Sequence, residues 1–405
     1  WDRAEAAFRE VVAVAADEQD AATYVARARV GLARVLRASE RREAAVAVLQ
    51  QVVDMPEAVP SEKIRAQLLQ VTILVDMGQV DRALAVYRRI VPMQPRIADS
   101  DWFRCTADLF SGLARVGMND EALALATALR TLAPSSETQL KAELRIVQVL
   151  LATGKRQEAG EVLGQFTSEK IPEEHAELCT QFAELRVKLA LSYMGVDDRE
   201  AGLALLEQVV NDEASSADVR YRAGMNRAKT FLDGGMMEEA IHAYSEAARV
   251  GPTSAAQAEA FFLAGEVAFR KAESIDSDLS RRKPEYGRAA SFFKNVAEKY
   301  ADTGHAEEAL FKLGQARMRT DLYQDAALIL RDFLQKYPES EFAEDAILER
   351  GQALRLSGSY NEALTVLNGF IRNRTASAKI PYALMEAFKA AKADGDVAAA
   401  TGFLD

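Results

Sequence analysis

What the chain has little of narrows the field first. Its 405 residues include two cysteines, three histidines and two tryptophans, and only 7% are aromatic. Cys105 and Cys179 lie far apart, so no local disulfide framework is implied, and both read as small buried apolar side chains. His175 and Cys179 stand one helical turn apart, but a structural zinc needs four ligands and no second pair is present. No phosphate-cradling glycine loop, dinucleotide fingerprint, HExxH or GxSxG occurs, so no catalytic, cofactor-binding or metal residue is assigned. An enzyme is therefore the least favoured class. No apolar run reaches the roughly 18 residues of a membrane span. Lysine and arginine are outnumbered by acidic residues, giving a net charge of −11, and a partner bound through a broad basic footprint, such as nucleic acid, is not expected. The chain opens at Trp1 and not at methionine, so its first residues say nothing about targeting.

What is present is a repeated pattern. In residues 305–342, Leu310, Leu313, Gly314 and Met318 fall on one stripe at helical spacing, and Tyr323, Ala326, Leu330 and Phe333 on another. Asp321 lies in the short turn between them, and Tyr337-Pro338 ends the pair, since proline cannot continue a helix. The spacing predicts an antiparallel helical hairpin, too small to bury both apolar faces without a copy on each side. Taking Ala326 as the register mark, counterparts recur at Ala4, Ala44, Ala83, Ala122, Ala159, Ala201, Ala240, Ala289 and Ala363. A turn glycine precedes many of them, at Gly78, Gly117, Gly154, Gly235 and Gly358, and prolines close several units. Polar residues 211–217 carry helix-capping residues.

In one register from end to end, this pattern resembles the tetratricopeptide repeat (TPR) family, whose period is about 34 residues. The resemblance implies an all-α solenoid of about nine to ten antiparallel hairpins in a right-handed superhelix, with first helices lining a concave groove. The closing pattern seen from Phe293 to Gly314, and again from Phe333 to Gly351, is similar to TPR domains of bacterial envelope proteins. Among these are the Tol-Pal-associated cell-division coordinator and the lipoprotein of the outer-membrane β-barrel assembly machine. Two arrays are expected, 1–252 starting mid-repeat and 253–405, within one continuous solenoid. The stripe Trp1, Ala4, Phe8 and Val11 matches a second helix without its first, and Ala399 to Phe403 open a helix that the end cuts short, so the array is expected to continue both ways or to dock by its ends. The gap from Ala240 to Ala289 carries an insertion at 274–286, SIDSDLSRRKPEY, expected as a charged loop less ordered than the helices beside it.

Carried over in register, the inward positions are Arg65, Arg104, Lys141 and Arg222, followed by Glu259, Glu308 and Asp345, with Arg186 and Lys229 nearby. Acidic residues in a first turn suit the helix dipole, but basic ones do not, so the basic set is a candidate groove for an acidic partner segment. The asparagines of the carboxylate clamp in chaperone-binding TPRs are not matched: Thr72, Ser111, Gln148 and Lys229 stand there. Arg281, Arg282 and Lys283 are candidate contacts on the inserted loop. The expected function is a non-enzymatic protein-interaction scaffold, in a bacterial periplasm or envelope or else the cytoplasm. The alternative is a structural solenoid that packs by its edges or against copies of itself.

Overall fold

The computed structural model describes residues 1–14, 21–92, 99–133, 135–166, 171, 175–196, 198–276 and 278–396. Among these there are twenty α-helices and no strand. The expected helix at Ala399 to Phe403, like Pro95, Pro134 and Pro172, lies outside the described residues. The chain divides into two compact units, Trp1–Ser192 and Tyr193–Asp405. Residue 253, where the sequence places a boundary, falls inside the second.

Unit 1 begins with α1 (Asp2–Val14) and continues with four hairpins. These are α2 (Ala21–Ala38) with α3 (Arg42–Asp54), α4 (Pro60–Asp76) with α5 (Val80–Ile90), α6 (Asp99–Arg115) with α7 (Asn119–Leu132), and α8 (Ser136–Ala152) with α9 (Arg156–Gly164). Most of α10 (Ala176–Met194) completes it. Unit 2 opens with α11 (Arg199–Asn211). It then pairs α12 (Ala217–Asp233) with α13 (Met237–Val250), α14 (Ser254–Ser274) with α15 (Leu279–Lys299), α16 (Ala306–Arg319) with α17 (Tyr323–Lys336), and α18 (Ala343–Leu356) with α19 (Tyr360–Asn373). The last described helix is α20 (Ile380–Asp394).

Small residues set the closeness of each pair. A Cβ added at Gly314 of α16 would stand 2.6 Å from Leu330 Cδ2 of α17, so glycine is what lets these helices meet. The register alanines Ala83, Ala122, Ala159, Ala240, Ala289, Ala326 and Ala363 are fully buried at such crossings. At three places the buried position lies one residue later than expected: Ala45 is buried where Ala44 is exposed, Gly202 where Ala201 is half-buried, and Glu5 where Ala4 is half-buried. In α3 and α11 two small residues adjoin, and the packed face takes the second. Glu5 is held by Arg9 and Arg41. The turn glycines have φ between 73° and 86°, the left-handed region that costs other residues strain; Asp321, at φ 60°, occupies the same place in the α16–α17 turn. Ser216 caps α12 from the end of the polar stretch, accepting from Val219 N.

The insertion is not a loop. α14 and α15 are each 21 residues long, against 14 in each helix from α16 to α19, and 279–286 form the start of α15. Tyr286 is buried and meets the Phe269 ring edge-on, 4.9 Å between centroids. Two apolar anchors therefore fold the extra chain onto the hairpin as added helical turns. Lys271 binds Glu238 of α13 and Glu285 of α15, at 2.6 and 2.8 Å, and ties the extension to the preceding hairpin.

Candidate functional site

In unit 1 the first helices α2, α4 and α6 line one cavity of about 560 Å³. Arg34 and Arg37 come from α2, Arg65 and Thr72 from α4, Arg104 and Asp108 from α6. Helical spacing puts these residues on the side of each helix away from its own hairpin partner, which explains why they meet. The carboxylates nearby are already engaged. Asp76 receives Arg37 at 2.8 Å, and buried Glu62 receives Arg65 at 3.0 Å and Arg27 at 2.9 Å. Asp108 accepts from the Thr72 hydroxyl at 3.0 Å. Arg34 is exposed and makes no ion pair or hydrogen bond among the described residues. Cys105, which also lines the cavity, has its thiol pushed up by burial, so it offers no thiolate there.

Of the expected inward set, Arg65 and Arg104 are thus brought together. The others are not. Lys141 on α8 binds Glu137 one turn back and lies outside the cavity. Arg186 is a correction: it is 8% exposed, and its guanidinium donates to the carbonyl oxygens of Leu163 and Phe166, closing the C-terminal end of α9. A long side chain on an apolar face has turned back to satisfy helix-end carbonyls, and it is withdrawn from any groove. Arg222 and Lys229 belong to unit 2, both exposed on α12, and Arg222 faces Asp218 at 3.3 Å. Within unit 1, a single basic ladder through Arg65, Arg104, Lys141 and Arg186 does not form.

The expected basic loop cluster is also corrected. Arg282 donates to the carbonyls of Ala272 and Glu273, at 3.1 and 3.2 Å, and so finishes α14, while Lys283 binds Asp321 of the next turn at 2.5 Å. Arg281 alone is fully exposed. Two of the three cations hold the long hairpin in place. The acidic positions are partly engaged in the same way: Glu259 accepts from the Tyr221 hydroxyl at 2.8 Å, Asp345 binds Lys379 at 2.7 Å, and Glu308 is half-buried.

Unit 2 has its own cavity, of about 700 Å³, lined by α14, α16, α18 and α20. Glu266 and Lys312 pair across it at 3.0 Å. Glu349 of α18 receives the Gln315 amide at 2.8 Å on Oε1, while its Oε2 is buried with no donor. Burial pushes this carboxyl above its usual value.

Residues 308–340 match the model of the tetratricopeptide repeat family. Over that stretch the helical hairpin is of the tetratricopeptide type. No curated protein matches the chain. Among solved structures it is similar to PilW, a type IV pilus biogenesis factor, at 19% identity over 55% of this chain and 90% of that one, with a TM-score of 0.32. It is similar to the C-terminal part of a TPR repeat-containing protein from Cytophaga hutchinsonii at 14% identity over 75% and 99%, TM-score 0.36. A third likeness is to YrrB, described as a TPR protein with an unusual peptide-binding site, at 18% identity over 54% and 90%, TM-score 0.28.

Within the helical array the sequence reading missed Arg34 and Arg37, which contribute half the cations of the unit 1 cavity. One signal was available: both lie about two to three turns beyond Ala26, the α2 counterpart of the inward positions that were followed. Glu349 was missed for the same reason, being one turn beyond Asp345. Among the described residues no group of three or more histidine, cysteine or acidic side chains is placed to hold a metal, and no helix is long and apolar enough to cross a membrane.

Proposed function

We propose that the chain is a protein-interaction scaffold whose unit 1 cavity seats an acidic segment of a partner. One observation carries this: Arg34, Arg37, Arg65 and Arg104, from three successive first helices, line a single cavity in which Asp108 is the one carboxylate, and Arg34 makes no ion pair among the described residues. A cleft with an excess of one charge draws in the opposite one, and guanidinium groups match carboxylates with paired hydrogen bonds. The tetratricopeptide type supports protein or peptide as the class of partner. The repeat subtype in 293–351 supports a bacterial envelope assembly as its setting.

The test uses a fluorescein-labelled peptide of alternating glutamate and alanine, capped at both ends, and fluorescence anisotropy on the full chain. Binding should weaken steadily as salt rises from 50 to 500 mM, since the Debye length falls from about 14 Å to about 4 Å. Arg34→Glu with Arg104→Glu should cost about tenfold or more in affinity, whereas Arg222→Glu should change little. Equal effects of the two changes, or binding indifferent to salt, would sink the proposal and favour packing by the solenoid's edges.

A further inference from the structure

The unit 2 cavity exists because of the long hairpin. The added turns of α14 and α15 overhang the first helices that follow, placing Phe269 and Leu279 on one wall against Met318, Leu356 and Tyr382 on the others. Leu279, at the tip, is 60% exposed, an apolar side chain at the rim of the cavity. The extension is clamped in this position by Lys283 on Asp321 and by Lys271 on Glu238.

The polar lining is mostly matched internally. Lys312 is on Glu266, Lys283 and the Tyr323 hydroxyl are on Asp321, and the Tyr382 hydroxyl donates to Gln352 at 3.2 Å. Four lining side chains are not: Arg270, Glu273 and Arg319 make no ion pair or side-chain hydrogen bond among the described residues, and Glu349 has Gln315 on one oxygen and no donor for the other. Among the charges acting on Glu349 at a distance, Asp345 raises its proton affinity while Arg319 and Lys312 lower it. A buried carboxylate oxygen without a donor costs free energy, and a donor that brings its own charge recovers the most.

We propose that this cavity takes a lysine or arginine side chain of a partner segment. The charged head reaches Glu349, and the alkyl stem lies along Phe269, Met318 and Leu356, as long cationic side chains cover apolar surface while keeping the head at a polar group. Leu279 covers the segment from the overhang. The site is separate from the unit 1 cavity and opposite in chemistry, so a scaffold with both would hold an acidic and a basic segment at once. This inference rests on the scaffold reading, but not on the basic cavity.

The experiment uses the full chain and three fluorescein-labelled, end-capped nonapeptides that differ only in a central lysine, glutamine or glutamate between leucines. The lysine peptide should bind about tenfold or more tighter than the glutamine peptide. Glu349→Gln should abolish that preference while leaving the melting temperature within a degree or two. Leu279→Ser, at an exposed tip, should weaken the lysine peptide without touching the fold, and keeps the test decisive if the first variant is unstable. Arg34→Glu with Arg104→Glu should leave the lysine peptide unaffected, so failure of the basic cavity and failure of this site show up separately. Equal binding of lysine and glutamine peptides, or a lysine preference that survives both unit 2 substitutions, overturns the proposal.

Discussion

The two units are built from one hairpin and lined with different chemistry. In unit 1 the first helices bring four arginines to a cavity; in unit 2 the corresponding helices bring Glu266, Glu273 and Glu349 together with Arg270, Lys312 and Arg319. The seams between helices, by contrast, are interchangeable. Ala83 and Ala122 in unit 1 and Ala326 and Ala363 in unit 2 are all fully buried at equivalent crossings. Packing constrains the seam because one added methylene is felt there, whereas a groove position is free to take any side chain that water will accept. Architecture and specificity therefore sit on different faces of the same helix.

The sharpest way to break this comparison is at the long hairpin, which among the described residues only unit 2 has. Tyr286→Ala removes a buried ring from its contact with Phe269 and should cost about 3 kcal/mol, toward the lower end of large aromatic truncations. Hydrogen exchange should show α14 and α15 losing protection while α2 to α9 keep theirs; an unchanged exchange pattern would restore the view of 274–286 as a dispensable loop. A medium effect is expected at the seams. Ala45→Leu should cost about 1 to 3 kcal/mol by overpacking, and Ala44→Leu, one residue earlier on an exposed face, less than about 0.5 kcal/mol. Chemical denaturation of the pair decides the register of α3, and the reverse ranking would return it to Ala44.

The smallest effect is electrostatic and has a definite pH sense. The hydrogen bonds from Lys271 and Arg288 hold Glu238 below its ordinary value. A carboxyl lowered in the folded state contributes stability above its unfolded value, 4.5, and loses it as the pH falls through the folded one. Glu238→Gln should therefore lower the melting temperature slightly at pH 7, by an amount worth about 0.5 kcal/mol for a half-exposed clasp, and the deficit should close in acid. A deficit that is constant from pH 7 to pH 3 would mean the glutamate acts through packing alone.

The fold was legible because its requirements are local and repeated. Glycine is the residue that admits Leu330 at Gly314, and the left-handed turn at Gly78 or Gly358 favours the same residue, so both leave a visible trace. Where the trace is ambiguous the reading slips, as at Ala44 and Ala45, where two small residues adjoin and helical spacing cannot choose between them. The groove was less legible because a cation's reach exceeds the spacing of the pattern that locates its Cα. Arg186 sits on the right helix and folds back onto Leu163 and Phe166, and Arg282 on a polar, proline-bearing stretch turns out to finish a neighbouring helix. Neither choice is written in periodicity. It depends on which helix-end carbonyls lack a donor, and that is known only once the helices are placed.

The buried glutamates that join successive first helices have a mechanical meaning. Glu62, 2% exposed on α4, receives Arg27 of α2, and Glu386, 1% exposed on α20, receives Arg355 of α18. Each tie spans two neighbouring hairpins and works beside the apolar packing between them, which in unit 2 runs as one buried cluster from α12 to α16, so load pulled through that unit is shared between charged stitches and core.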